Sequence, residues 1–202
     1  MCNTGAPQGT VLSPFLFTIY TSDFNSDYNS GTCHLQRFSD DSSIVGCISE
    51  EKEEEYRGVV ESFLRWSVDN HLQLNISKTK ELIVDFCRNR KPPTPITIQG
   101  EKIEMVDSYQ FLGVHINSKL DWSENTKVLY RKGQSRLFLL RRFRSFDVCS
   151  KRLQMFYQSV VACALFFAVT CWGGGVKAWK ADKLNKLVKK SSSVVGHKLD
   201  NL

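Results

Sequence analysis

The chain has 202 residues, 42% hydrophobic and 24% charged, a composition that excludes a disordered chain and allows one sizeable core or two small ones. Its net charge of +6 hides an asymmetry. Residues 1–87 hold 6 Lys/Arg against 13 Asp/Glu, a net of −7, and residues 88–202 hold 21 against 8, a net of +13. An acidic working end joined to a basic surface suits a polyanionic partner.

The 7 cysteines are odd in number and form no C-x-x-C pair, so a disulfide framework is not expected. Buried free thiols in an intracellular, reducing compartment, nuclear or cytoplasmic, are the reading. Met1 is followed by turn residues rather than by a basic and then apolar leader. Residues 160–172 (VVACALFFAVTCW) are nearly all apolar but fall short of the ~20 residues that a membrane span needs. A buried helix and no membrane partner are expected; nothing in the sequence fixes an oligomeric state.

In chain order, LSPFLFTIYTSDF opens on Ser13-Pro14, a helix start of about three turns with serine as the cap. Residues 33–38 and 43–48 read as two strands joined by Ser39 to Ser42. The stretch ISEEKEEEYRGVVESFLRWSVDNHL is an amphipathic helix, with Tyr56, Val59, Val60, Phe63 and Leu64 at helical spacing and glutamates at its N-terminal end. Strands are expected at 72–76 and 81–86, around Ser77-Lys78-Thr79-Lys80. RNRKPPTP, with its three prolines, is a connector. ITIQGEKIEMV then reads as a hairpin turning at Gly100, and YQFLGVHI as one further strand. From Ser123 onward three helices are predicted, over 123–144, 150–172 and about 177–195. The fold class is therefore α+β, mixed first and all-helical last.

Asp40 and Asp41 lie side by side in FSDDSS. A twisted hairpin tip can present both to one side, where like charges repel unless a cation lies between them. Mg²⁺ takes oxygen ligands and is held by one or two carboxylates plus substrate phosphates, as in two-metal phosphoryl transfer. A solvated turn is the plain alternative. GAPQGTVLSPFLF is a sharp loop entering a helix, able to bring backbone N–H groups and Gln8 near a nucleotide. NISKTK carries two lysines, either of which could donate a proton or positive charge to phosphate oxygens. LYRKGQSRLFLLRRFRSF places Arg131, Lys132, Arg136, Arg141, Arg142 and Arg144 around Leu137 to Leu140. This suits a phosphate-tracking surface, or a solvated basic face.

Taken as a set and in this order, these segments resemble reverse transcriptases of the non-LTR (LINE-type) retrotransposon subgroup. GAPQGTVLSP resembles motif B, FSDD motif C and LQLNISKTKELIVDF motif D, with YQFLGVHI similar to the primer-grip strand. The resemblance covers roughly residues 5–116 and implies three segments: a partial palm over 1–87, a connector with hairpin and primer-grip-like strand over 88–122, and a helical thumb-like region over 123–202. For the intact parent it implies an RNA template and a DNA primer as partners and Asp40 and Asp41 as ligands of Mg²⁺, which these two carboxylates without a third are expected to hold weakly or not at all. Gln8 and Gly9 would lie beside the incoming nucleotide, and Phe111, Leu112 and Gly113 at the primer end. Lys78 or Lys80 would assist pyrophosphate departure; the motif does not choose between them. Ser39 replaces the family's commoner alanine.

In that family a further metal-binding aspartate stands on a strand before motif B. Residues 1–4 hold no acidic residue, and Asp23 follows the motif B helix. The expectation is a truncated reverse transcriptase with little or no activity by itself, or a non-catalytic nucleic-acid-binding fragment using the basic half. The helical region also resembles the segment known as the N-terminal region of AlkB-like tRNA dioxygenase/methyltransferases. Iron chemistry is not expected from it, because His34, His71, His115 and His197 form no 2-His-1-carboxylate pattern.

Overall fold

The computed structural model describes residues 10–24, 32–48, 53–86 and 94–199. It is α+β, and its residues sort into two compact units, Met1–Thr79 with Ile96–Ile103 and Lys80–Pro95 with Glu104–Leu202.

In the first unit, α1 spans Leu12–Tyr20. It starts one residue before Ser13, which therefore sits inside the first turn rather than capping it. The Ser13 hydroxyl instead lies 2.7 Å from that of Thr10. None of the residues of α1 is buried. At its end the Tyr20 hydroxyl donates to the Asn70 carbonyl at 2.5 Å. β1 (Cys33–Phe38) and β2 (Asp41–Gly46) form an antiparallel hairpin. The second strand begins two residues earlier than the apolar pattern implies. Phe38 pairs with Asp41, which leaves only Ser39 and Asp40 in the turn. Ser39 takes φ +56°, the positive φ that two-residue hairpin turns demand.

α2 (Glu53–Asp69) follows the expected spacing, with Glu53, Glu54 and Glu55 in the first turn and Val59, Val60 and Phe63 buried. Val60 joins Ile96, Ile98 and Ile103 in a small core, against which Ile44, Tyr56, Leu64 and Ile76 pack. Ile98 lies in the hairpin of β4 (Thr97–Ile98) and β5 (Glu101–Lys102), and Ile96 and Ile103 flank it. That hairpin turns through Gln99 and Gly100, both at positive φ, as the sequence predicts.

The pair of strands expected at 72–76 and 81–86 is not formed. Residues 72–75 join no ladder, and only β3 (Lys80–Glu81) pairs, in parallel with β6 (Glu104–Met105), both strands lying in the second unit. The reason is local. Asn75 accepts the Lys78 and Thr79 amides with its carbonyl, while its side chain accepts from Lys78 N–H and lies 2.8 Å from the Ser77 hydroxyl. A self-bonded Asx turn competes with strand pairing.

The single strand read over YQFLGVHI is instead a hairpin, β7 (Ser108–Phe111) against β8 (Val114–Asn117). Leu112 (φ +46°) and Gly113 (φ +85°) make its turn. A Cβ on Gly113 would lie 3.2 Å from the Phe167 ring, whereas one on Gly100 (φ +84°) would meet nothing within 4 Å. Gly100→Ala should therefore cost about 1 kcal/mol from backbone strain alone. Gly113→Ala should cost more, to be compared by urea unfolding of the two variants.

The helical part is built on α3 (Ser123–Ser145) and α7 (Ala178–Val195). Leu129, Leu137 and Leu140 of α3 meet Leu184, Leu187, Val188 and Val195 of α7 in the main core. The helix expected over 150–172 is broken into pieces: α4 (Ser150–Phe156), a π-helical stretch Tyr157–Ala162, α5 (Cys163–Leu165), and α6 (Val169–Trp172) after a break at Ala168, φ +51°. Leu153, Tyr157, Val161, Leu165 and Trp172, from both sides of the break, all lie in the core. Ser150–Gly175, with mean hydropathy 1.7, is long and apolar enough to cross a bilayer. Length and composition alone are weak evidence for that.

Of the five described cysteines only Cys33 is buried; Cys47, Cys149, Cys163 and Cys171 are exposed, and none is in a disulfide. The expectation of buried thiols thus fails at four positions: Cys47 follows β2, Cys149 precedes α4, and Cys163 and Cys171 are on exposed sides of α5 and α6.

The start of α3 is clasped by Asp121. Its carboxylate accepts from the Ser123 hydroxyl (2.6 Å), the Ser123 amide (2.9 Å) and the Asn117 side chain (2.8 Å). The buried Lys180 of α7 donates to Ser123 Oγ and to the Asp121 carbonyl. These hydrogen bonds, those from Ser123 first, hold the Asp121 carboxyl well below the usual carboxylate range. A depressed folded-state value contributes stability above the unfolded value, near pH 4, which is lost as pH falls through the lower one. Asp121→Asn should lower the Tm at neutral pH, and the gap from the parent chain should close in a titration toward strong acid.

Candidate functional site

Alternation along β1 and β2 decides what surrounds the two aspartates. Phe38, Asp41, His34 and Val45 share one face, and Cys33, Leu35, Arg37, Ser42 and Ile44 the other. The second face turns inward, since Ile44 packs on the small core. The first faces solvent, with Phe38 62% and Val45 56% exposed. Asp41 is therefore on the open face, and Asp40 is exposed in the adjoining turn. Neither carboxylate has a hydrogen bond or ion pair among the described residues, and no group of three or more His, Cys, Asp or Glu converges there or elsewhere among them.

Two hard oxygen donors fit a small divalent cation that keeps most of its other positions for water and phosphate. They do not make a closed protein cage.

On the inward face Arg37 lies over the rings of Trp66 (5.0 Å) and Phe24 (5.3 Å). Phe24 meets Phe63 and Trp66 edge to face, and the Trp66 ring N–H donates to Asp23 at 3.2 Å. Burial pulls the Arg37 value below its ordinary one, against the pull of Asp23 in the opposite direction. This arrangement braces the hairpin from behind, and Thr18, Thr21 and Ser22 at the end of α1 line a cleft with Arg37 and Ser39. The bracing role of Arg37 was missed in the sequence, although period-two alternation from Cys33 and Leu35 points it inward.

Lys78 is exposed in the Asx turn, without an ion pair among the described residues. Lys80 is half-buried in β3 and held by Glu104 at 2.5 Å. Gln8 and Gly9 lie outside the described residues. Phe111 ends β7, and Leu112 and Gly113 form the turn beyond it. On α3, Arg131, Lys132, Arg141, Arg142 and Arg144 are exposed. Arg136 differs: it is half-buried and donates to the Val160 carbonyl at 2.6 Å, bonding to the π-helical stretch. Its role in that geometry is structural.

The reverse transcriptase (RNA-dependent DNA polymerase) family matches residues 1–116, more than half of the sequence and including the aspartate hairpin, the lysine turn and the Phe111–Gly113 tip. The chain belongs to the reverse transcriptase family. Membership implies dependence on divalent metal. Similar curated proteins include the RNA-directed DNA polymerase from mobile element jockey of Drosophila funebris, 26% identical over 84% of this chain and 19% of that protein. The Drosophila melanogaster jockey polymerase is 22% identical over 91% of this chain and 20% of its own length. The probable RNA-directed DNA polymerase from transposon X-element of the same species is 24% identical over 84% and 19%. The chain thus spans about a fifth of the length of these reverse transcriptase relatives. Residues 122–162, covering α3, α4 and the π-helical stretch, match the alkylated DNA repair protein alkB homolog 8, N-terminal family. No solved structure matches the chain significantly.

Proposed function

We propose that the chain is the part of a LINE-type RNA-directed DNA polymerase that carries two of its metal-binding carboxylates, the lysine of motif D and a basic helix for nucleic acid. The observation that carries this reading is the tight hairpin that exposes Asp40 and Asp41 together, within the residues that match the family. The two carboxylates would hold Mg²⁺, which when bound supplies positive charge to the phosphate oxygens of the reaction. Lys78, exposed at its turn, is better placed than the Glu104-paired Lys80 to give charge or a proton to a departing pyrophosphate. Gln8 and Gly9 adjoin the incoming nucleotide, and Phe111, Leu112 and Gly113 support the primer end. The exposed arginines of α3 follow phosphates of an RNA template or DNA primer. The setting is intracellular.

A second reading, a binding fragment without catalysis, is favoured by the net charge of +13 over residues 88–202. One pair of assays separates them. Residues 1–202 should bind polynucleotide on a filter yet fail to extend a primer. A chimera in which they replace the matching segment of the Drosophila funebris jockey polymerase should extend one with Mg²⁺. An inactive chimera that still binds would leave only the second reading.

A further inference from the structure

The α3 helix carries seven Lys/Arg and a single acidic residue, Glu124. Its buried side is Leu129, Gly133, Leu137 and Leu140. On the opposite side, at intervals of seven and four, stand Arg131, Phe138 and Arg142, one stripe by helical geometry. Phe138 is 63% exposed in the middle of this stripe. The ring is therefore open to a partner from solvent. Arg142 is also positioned from one side, with its guanidinium 5.3 Å from the Phe146 ring centre. By contrast, the neighbouring Phe143 is used structurally, meeting Phe156 edge to face at 4.8 Å.

We propose that the Arg131–Phe138–Arg142 stripe of α3 binds single-stranded nucleic acid, with Phe138 stacking on an unpaired base and the two arginines contacting the phosphates that flank it. The occupant follows from chemistry. The seven-to-one charge calls for a polyanion. A phenyl ring on a convex helix can stack only where a base has an open face, and bases inside a duplex have none. Arg131 and Arg142 lie eleven residues apart, about 16 Å along the helix, with the ring between them. This inference rests on the nucleic-acid reading above and narrows it to unpaired strand.

The test is fluorescence anisotropy of the full chain with three labelled probes of equal length: a (dT) strand, an abasic strand and a duplex. The (dT) strand should bind more tightly than the abasic one. Phe138→Ala should weaken (dT) binding about tenfold, leave the abasic probe unchanged and keep the Tm, since the ring is exposed; Phe138→Trp should restore binding. Arg131→Gln and Arg142→Gln should weaken both strands, each lowering the slope of log K against log salt by about 0.7. Equal loss on the (dT) and abasic probes, or an unaffected Phe138→Ala, overturns the stacking inference while leaving nucleic-acid binding intact. Failure of all three probes to bind at low salt overturns both.

Discussion

Asp40→Ala and Asp41→Ala, each introduced into the jockey chimera, are expected to reduce primer extension by at least about a hundredfold. Misplacing a reacting group by about 1 Å already costs on the order of 100-fold, and each substitution removes a whole carboxylate from the proposed metal site. The defect should not come from unfolding. Both residues are exposed at the hairpin turn, and removing one of two adjacent like charges relieves repulsion. The Tm of each variant should therefore equal or slightly exceed that of the parent chain. Asp23→Asn is the matching control. Asp23 accepts from Trp66 and balances Arg37 behind the hairpin, so its loss should lower stability while extension stays within a few-fold. Chimeras that tolerate both alanine substitutions would show that these carboxylates are not metal ligands.

Trp172→Ala should destabilise the helical unit by about 3–5 kcal/mol, the largest effect expected of a single truncation in this chain. Trp172 is fully buried, and its ring N–H donates to the Phe167 carbonyl at 2.8 Å. The substitution opens a large cavity and leaves that carbonyl without its donor. Whole domains are stable by only about 5–15 kcal/mol, so the variant should be close to unfolded at 37 °C. Trp172→Phe keeps most of the volume and should lose much less. Urea unfolding followed by far-ultraviolet circular dichroism measures both; an alanine variant within 1 kcal/mol of the parent chain would mean that the α6 turn does not belong to the cooperative core.

The sequence by itself determined the α+β class, the aspartate hairpin, α2, the turn at Gly100, and both long C-terminal helices, α3 and α7. Each of these rests on a signal within a dozen or so residues: alternation, three-four spacing, or a glycine where φ is positive. It also determined the family, because three motifs occur in order and at the right separation. Tertiary structure decided what each side chain is free to do. Arg136 and its neighbours read alike as cations, but Arg136 is the one that donates to the Val160 carbonyl. Lys78 and Lys80 are equivalent in NISKTK until Glu104, 24 residues beyond Lys80, takes one of them. Phe138 sits in a run of four apolar residues, and only the packing of Leu137 and Leu140 on one side shows that it faces water. The break at Ala168 was hidden because an uninterrupted apolar run contains no local stop signal. Ala168 takes the left-handed conformation (φ +51°), and the segments on both sides of it, with Val161 and Trp172, pack into one core.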